Sequence, residues 1–391
     1  MLPKKADVVI IGGGVIGSSI AYHLSKRKIG VVLLEKGELV SGASGSCDGL
    51  IFLQSKKPGV HLELALESKK RFDHLKEELN FDIEYKNHGG MVVIENEKEL
   101  AAMKLFVDKQ KKIGLDVSLL DTDQARKMEP SLSEKIFGST FSPLDAQVNP
   151  IFLTLSFIRA AKKLGAKVFT HIEIIGIEPK SGRVSSIKTT KSEIKTNTIV
   201  NATGAYAARI GKLIDLDIPI EPRRGQILVT ETAPHILKKG ILSASYIAAK
   251  FDPSLAEIQG VGISMDQTSS GNLLLGSTRE FVGFDKRTTY EGINSIVRNT
   301  SRIIPQLKNM HIIRSFAGLR PYTSDGLPIL GKVEGIEGFI MAAGHEGDGI
   351  ALSPITGELI AELIDTGETR IPLDAFRLER FLYGKSKNRH G

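Results

Sequence analysis

The sequence predicts an α/β fold, α+β overall, in which a Rossmann domain is assembled from discontinuous segments around a second domain. Three observations support this prediction. Residues 7–35 have the pattern strand, glycine-rich turn, helix and strand, which is typical of a βαβ unit. Residues 338–343 form another apolar run followed by glycines, near the opposite end of the chain. Part of the chain between them alternates in hydrophobicity, as strands of a mixed or antiparallel sheet do.

The N-terminal unit begins with residues 7–11, a short β-branched run that is typical of a strand buried on both faces. Residues 15–27 carry apolar side chains at helical spacing, and residues 31–35 are a second buried strand. The connections are short, as one βαβ unit requires.

Further elements are predicted along the chain. Amphipathic helices are expected over Val60–Leu79 and residues 97–113. Asn149 is a good N-cap with Pro150 at the first helical position, and that helix is expected to end at Gly165. Strands are predicted at residues 167–170, Arg183–Thr189, 196–202, 219–230 and Asn272–Thr278, and a last helix at 350–363.

Composition limits the function classes. The 391 residues exceed what one hydrophobic core usually accommodates, so two domains are expected. The net charge of +7 is distributed in short pairs of basic residues without a nucleic-acid-binding motif, so nucleic acid is not an expected partner. No apolar run reaches the roughly 18 residues of a membrane span.

Cysteine and histidine usage limits the cofactors. The chain has one cysteine, Cys47, which excludes an internal disulfide, a four-thiolate iron–sulfur cluster and a cysteine-rich zinc site. The histidines lack metal-ligand spacing, so no metal site is predicted. A reducing, cytoplasmic location fits this composition.

The glycine-rich turn has the G-x-G-x-x-G pattern of a dinucleotide-binding loop. Gly12 permits a tight turn, Gly14 lets the backbone approach a pyrophosphate, and Gly17 allows helix and strand to pack closely. Glu35 stands at the end of the second strand, where a carboxylate can accept hydrogen bonds from a ribose diol. These residues favour a ribose with a free 2′-hydroxyl and leave NAD and FAD open.

Blocks beyond this motif resemble the D-amino-acid oxidase-like flavoproteins, a family that includes glycine oxidase, sarcosine oxidase, and β subunits of L-proline dehydrogenase and hydrogen cyanide synthase. The resemblance covers nearly the whole chain. It depends on VVIIGGGVIGSSIAYHL near the N-terminus, SGASGSCDG at 41–49, IVNATGAYA at 199–207, EPRRGQILVTE at 221–231, GNLLLGSTREFVGFD at 271–285, AGLRPYTSDGLPILG at 317–331 and GHEGDGIALSPITGELIAELI at 344–364.

The resemblance implies an FAD domain of the glutathione-reductase type, interleaved with a substrate domain on a mixed sheet. The FAD domain is expected over residues 1–85, 146–215 and 318–391, and the substrate domain over 86–145 and 216–317.

The resemblance also implies FAD as the cofactor, bound without a covalent link, because the family's cysteinyl attachment lies nearer the C-terminus than Cys47. Small residues suit its binding loops, since backbone amides must approach the cofactor. The expected cofactor-binding residues are Gly12, Gly14, Val15, Ile16, Gly17, Glu35, Lys36, Ala43, Ser44, Cys47, Asp48, Gly49, Ile174, Gly204, Gly344, His345, Glu346, Gly347, Gly349 and Ile350.

Three residues are candidates for the catalytic site. Arg320 resembles the family arginine that pairs with a substrate carboxylate, a role that suits a planar guanidinium. Its alternative role is a structural salt bridge at the domain junction. Tyr246 is a second candidate substrate contact or a packing residue of the sheet. His345 either tunes or gates the site or packs beside it.

The activity implied by the resemblance is oxidation of a small amine or amino acid. Hydride passes from the α-carbon to flavin N5, and the resulting imine hydrolyses to a keto acid. The chain is expected to be the catalytic subunit of a dehydrogenase complex with redox partner subunits. The alternatives are a self-sufficient glycine or sarcosine oxidase that uses oxygen, a flavin dehydrogenase for hydroxy acids or glycerol phosphate, and a non-catalytic FAD-binding relay subunit. Lys250 is a candidate for the lysine that sarcosine oxidase places above its flavin.

Overall fold

Two large β-sheets organise the chain, and a cleft lies where they meet. The structure, a computed structural model, describes residues 1–180, 182–251 and 261–383. The side chain of Lys250 lies outside the described part of the chain. None of the helices in the described part is long and apolar enough to cross a membrane.

The strands are β1 Val8–Ile11, β2 Val31–Leu34, β3 Leu50–Ile51, β4 Gly90–Ile94, β5 Ser118–Leu120, β6 Gly138–Ser142, β7 Ala146–Gln147, β8 Lys167–Phe169, β9 Ile174–Lys180, β10 Arg183–Thr189, β11 Glu193–Lys195, β12 Ile199–Asn201, β13 Glu221–Thr232, β14 Gly240–Ser243, β15 Val261–Gln267, β16 Asn272–Thr278, β17 Ile312–Tyr322, β18 Ile329–Val333 and β19 Ile336–Ala343. The α-helices of the described residues are α1 Val15–Lys26, α2 Val60–Leu79, α3 Glu97–Lys112, α4 Thr122–Met128, α5 Pro150–Lys163, α6 Ala207–Gly211, α7 Ala244–Phe251, α8 Tyr290–Ile303, α9 Gly349–Thr366 and α10 Arg380–Tyr383.

Among the described residues, the first sheet has nine strands, and its central part is parallel. The order is β11-β10-β19-β12-β1-β2-β8, with β18 on β19 and β9 on β10. Strands β19, β12, β1, β2 and β8 are parallel. Alternate residues of β1 belong to different cores: Val8 and Ile10 pack with α1, α5 and α9, whereas Val9 and Ile11 pack on the opposite face. Burial on both faces explains the continuous apolar runs of these strands.

The second sheet has eight strands in the order β17-β13-β16-β15-β14-β4-β6-β5. Its neighbours are antiparallel except for β14 and β4, which are parallel. Helix α8 covers one face through Ile296 and Ile303, which pack with Leu273 and Leu275 of β16. The predicted fold class, a Rossmann sheet with a second, mixed sheet, is therefore confirmed.

Several predicted boundaries hold closely. Asn149 caps α5 through Ile151 N and Phe152 N, both 3.1 Å from its side-chain oxygen, and Gly165 follows the helix with a φ of +103°. One strand is shorter than predicted. A strand was expected over residues 196–202, and the observed strand β12 covers only Ile199–Asn201. The Thr196 hydroxyl donates to Thr198 O and accepts from Thr198 N, and such a local turn replaces strand hydrogen bonds.

We propose that the chain is divided into two domains, because the strands of each sheet come largely from one of the two proposed sets of segments. Strands of the second sheet come from residues 90–142 and 221–322. Strand β17 crosses the proposed boundary at residue 318. It begins in the proposed substrate domain and ends in the proposed FAD domain.

Candidate active site

A cleft of about 430 Å³ lies between the carboxyl ends of the parallel strands and the second sheet. Ligands of open α/β sheets bind at this edge. The residues predicted for cofactor or substrate that line it are Gly12, Gly14, Val15, Ile16, Glu35, Lys36, Ala43, Ser44, Cys47, Asp48, Ile174, Gly204, Tyr246, Arg320, His345, Glu346, Gly347, Gly349 and Ile350. Gly17, Gly49 and Gly344 do not line the cleft and instead pack against its wall.

The glycine-rich turn connects β1 to α1 at one wall. Gly12 has a φ of +112°, and a methyl group there would lie 2.5 Å from Ala202 O. A methyl group on Gly17 would lie 2.1 Å from Gly12 O, so this glycine is needed for packing of the helix on the turn. Gly14 is the N-cap of α1 and has no side chain to cover the helix terminus. The first turn of α1 therefore faces the cleft, where the helix dipole favours an anion.

Glu35 follows β2 at the far end of the cleft. Its carboxylate accepts hydrogen bonds from Gly13 N and Gly37 N, both at 2.8 Å. Lys36 is next to it, with Nζ 3.5 Å from the centre of the Tyr206 ring. The two backbone amides fix the carboxylate at the position predicted for a ribose contact.

A second helix terminus, that of α9, faces the cleft through Gly349 and Ile350. A buried ion pair supports the preceding loop: Lys56 Nζ lies 2.8 Å from Asp348 Oδ1, and His61 Nε2 lies 3.1 Å from Asp348 Oδ2. These three side chains are at most 4% exposed. A buried charged group of this kind holds the loop in one position.

His345 lies in the same loop and reaches the cleft wall. Its Nε2 is 3.1 Å from the Thr356 hydroxyl of α9. Burial lowers the pKa of His345 to about 3, so the imidazole is neutral at physiological pH. The hydrogen bond and the neutral state support a packing role more than an acid–base role.

Arg320 projects from β17 into the cleft and is held by neutral acceptors. Its Nη1 donates to Thr278 O at 3.0 Å and its Nη2 to the Ser277 hydroxyl at 2.7 Å. Within the described residues, no carboxylate lies within ion-pair distance of Arg320. A methyl group on Gly225 would lie 2.0 Å from Nη1, so the glycine makes room for the guanidinium. This arrangement argues against the structural salt bridge and leaves a positive charge for a ligand.

Tyr246 of α7 lines the cleft on the same side. A methyl group built on Gly347 would lie 3.7 Å from the Tyr246 hydroxyl and 3.8 Å from Arg320 Nε, which places these groups around one small volume. Burial raises the pKa of Tyr246, so its hydroxyl keeps its proton and can donate a hydrogen bond.

Comparison with known proteins identifies the family. The family model described as DAO, FAD dependent oxidoreductase, matches residues 7–363. The chain belongs to this family. It is 32% identical to hydrogen cyanide synthase subunit HcnC from Pseudomonas protegens, over 95% of this chain and 94% of that protein. It is 31% identical to glycine oxidase from Geobacillus kaustophilus, over 97% and 98% of the two chains. The structure of L-proline dehydrogenase from P. horikoshii superposes with a TM-score of 0.90 at 29% identity, over 98% and 99%.

The chain is therefore an FAD-dependent oxidoreductase of the DAO family. The cleft fits FAD, because two helix termini face it, glycines leave room at the pyrophosphate position, and Glu35 stands at the ribose position. Gly12, Gly14 and Ser44 would hold the pyrophosphate, Glu35 the ribose, and Gly349 with Ile350 the flavin edge.

Cys47 lines the cleft beside this cofactor site. Burial and the neighbouring Asp48 raise the pKa of the Cys47 thiol, and its Sγ lies 3.6 Å from Ser44 O. The thiol is therefore protonated at physiological pH, and a protonated thiol is a poor nucleophile.

We expect acid precipitation of the purified protein to release its yellow colour into the supernatant, because FAD is held without a covalent bond. Absorbance of the supernatant and pellet measures this. Colour that stays in the pellet of wild type but not of Cys47→Ser would contradict the prediction.

A buried charged cluster surrounds Glu346 of the cleft wall and was not predicted as a unit. Arg223 and Arg279 both pair with the Glu346 carboxylate, Arg279 Nη1 at 3.0 Å. The Arg279 guanidinium lies 4.3 Å from the centre of the Tyr246 ring. The three charged side chains are at most 2% exposed. Two cations against one carboxylate make this wall electropositive, which favours an anionic substrate.

Sequence reasoning also missed Ser277, Thr278 and Gly225, which position Arg320, and Asp266, which lies behind Asp48. Nothing local in the sequence marks these residues, since each acts through a neighbour on another strand.

Proposed function

We propose that this chain oxidises a small amino acid or related amine at the carbon beside nitrogen and passes the electrons to a partner subunit. The observation that carries the proposal is Arg320, whose guanidinium lines the cleft, is oriented by Ser277 and Thr278, and has no acidic partner among the described residues. A substrate carboxylate can complete two parallel hydrogen bonds to it.

Bound FAD supplies the hydride acceptor at flavin N5, and the product imine hydrolyses to a keto acid. The residues of this chain bind and orient the substrate. Arg320 holds the carboxylate, and Tyr246 donates a hydrogen bond on the same side of the cleft. The buried walls exclude water, which strengthens both interactions.

A partner subunit is part of the proposal for two reasons. HcnC, to which this chain is 32% identical, is by its name a subunit of a larger enzyme. Residues 1–391 contain one cysteine, so they cannot themselves hold a four-thiolate cluster that would carry electrons onward, and a partner subunit would supply one.

Anaerobic titration of the purified yellow protein tests the substrate class. We expect amino acids and secondary amino acids to bleach the flavin, whereas hydroxy acids and glycerol phosphate leave it oxidised. Bleaching only by hydroxy compounds would contradict the amine assignment. A flavin that no compound reduces, although dithionite does, would indicate a relay subunit.

A second candidate, a self-sufficient oxidase, is favoured by the 31% identity to glycine oxidase over nearly both chains. Stopped-flow reoxidation of the substrate-reduced protein separates the two. If the chain is a dehydrogenase, its reduced flavin should transfer electrons rapidly to an artificial dye and slowly to oxygen. Reoxidation by air-saturated buffer as fast as turnover would make the chain an oxidase.

A further inference from the structure

Two acidic side chains are neighbours beside the cleft: Asp48 lines it, as Arg320 does, and Asp266 lies behind Asp48 and does not reach the cleft. Asp48 lines the cleft and belongs to the loop that connects β2 to β3. Asp266 of β15 lies behind this loop and is 1% exposed. Its Oδ2 accepts from Gly49 N and from Gln147 Nε2, both at 3.1 Å, whereas Oδ1 has no hydrogen-bond partner in the described part of the protein.

The surroundings of Asp48 and Asp266 favour a state in which the two carboxylates together hold one proton. Burial raises the pKa of Asp48, and burial together with the charge of Asp48 raises the pKa of Asp266 to about 8. Two neighbouring carboxylates, of which Asp266 is buried and Asp48 is half-buried, cannot both ionise easily, so one proton stays with the pair. Asp266 is the better site for it, because it is 1% exposed and its Oδ1 has no hydrogen-bond partner among the described residues. Asp48 is only half-buried, and Ser264, Arg320 and Lys56 favour its ionised form.

The groups that act electrostatically on the pair come from several elements. They are Cys47 of the same loop, Lys56 beyond β3, Lys86 before β4, Tyr246 of α7 and Arg320 of β17. Arg320 and Lys56 act to keep Asp48 ionised, whereas Lys86 acts on Asp266, the buried carboxyl behind it that can donate or hold a proton.

Amine oxidation creates a need for a proton acceptor at this place. An amino acid arrives as a zwitterion with an ammonium group at neutral pH, since its amine pKa is near that of lysine. Loss of a hydride from the α-carbon requires the nitrogen lone pair, which the extra proton occupies. A cleft with Arg320 on one strand and a carboxylate on the facing loop complements both charges of such a zwitterion.

We infer that Asp48, supported by Asp266, accepts a proton from the ammonium group of the substrate before oxidation. One N–H bond of the substrate breaks and one O–H bond forms on Asp48, without change of oxidation state. Asp266 is a positioning residue that sets the proton affinity of Asp48. The inference rests on the proposed amino-acid oxidation, and it adds a catalytic acid–base residue to a site otherwise built only for binding.

The test is the pH dependence of anaerobic flavin reduction in the FAD-loaded protein, with the substrate that reduces wild type best. We expect the wild-type rate to rise through a pKa below that of the free amine. In Asp48→Asn the rise should shift toward the amine's own pKa, with a rate about 100-fold lower at pH 7 and nearly wild-type at high pH. Asp48→Glu should restore much of the wild-type profile, and Asp266→Asn should move the wild-type pKa down.

Asp108→Asn is the control, because Asp108 is an exposed carboxylate of α3 whose loss should leave the profile unchanged. Three results would overturn the inference: an unchanged profile in Asp48→Asn, an equal rate loss at every pH, or loss of FAD from that variant. If Asp48→Asn does not fold, an unchanged profile in Asp266→Asn would overturn it. Failure of the proposed function is separate, since wild type would then not be reduced by any amino acid.

Discussion

Replacement of Arg320 by leucine should raise the substrate concentration needed for half-maximal flavin reduction by about 30- to 5,000-fold while FAD stays bound. Loss of one partner from a desolvated, hydrogen-bonded charge pair costs about 2–5 kcal/mol. The cofactor should remain, because Arg320 donates to Ser277 and Thr278 of the second sheet and is separate from the glycine-rich turn. Anaerobic titration measures the first quantity, and the ratio of flavin to protein absorbance measures the second.

Two companion variants show whether geometry as well as charge matters. Arg320→Lys keeps the charge and loses the bidentate fork, so it should bind substrate with intermediate strength. Gly225→Ala keeps Arg320 but places a methyl group 2.0 Å from the present position of Nη1, and a displaced guanidinium should weaken the reaction on the order of 100-fold. If Arg320→Leu is reduced as readily as wild type, the carboxylate binds elsewhere or the substrate is not an acid.

The N-terminal half of the cofactor site could be predicted because its signals are local. Gly12 and Gly14 follow β1 directly, and Glu35 follows β2, so residues close in sequence line this part of the cleft. Arg320 could be located only by resemblance to a family motif. The acceptors that orient it, Ser277 and Thr278, lie on β16, which is separated from β17 by β13, and no local sequence pattern marks them.

The second sheet shows the same limit at the level of the fold. Strands β13 and β16 were anticipated from alternation, but the parallel contact between β14 and β4 joins segments that are about 150 residues apart in the sequence. The pair formed by Asp48 and Asp266 depends on a comparable long-range contact, through Gly49 N. Hydrophobic periodicity shows that a strand exists and does not show its neighbour.

Replacement of Gly14 by valine should abolish FAD binding and leave the protein folded. Gly14 has φ −80° and ψ 179°, which any residue adopts without strain, and a methyl group there would lie 3.2 Å from the Ser44 hydroxyl. The added side chain projects into the volume where the pyrophosphate must approach the N-terminus of α1. Loss of that approach should weaken FAD binding by about 100-fold or more, which corresponds to ~3 kcal/mol.

The matched control for this variant is Gly176→Val in β9. Gly176 also lies outside the left-handed φ region, and the nearest atoms to a methyl group there belong to the flexible Lys188 side chain, at 3.6 Å. Valine suits a strand, so this variant should bind FAD as wild type does. Fluorescence titration of FAD with each apoprotein measures affinity, and circular dichroism with thermal melting of the apoproteins checks the fold. A folded Gly14→Val protein that binds FAD with wild-type affinity would show that the pyrophosphate does not lie against this turn, and the placement of FAD along the cleft would then have to be abandoned.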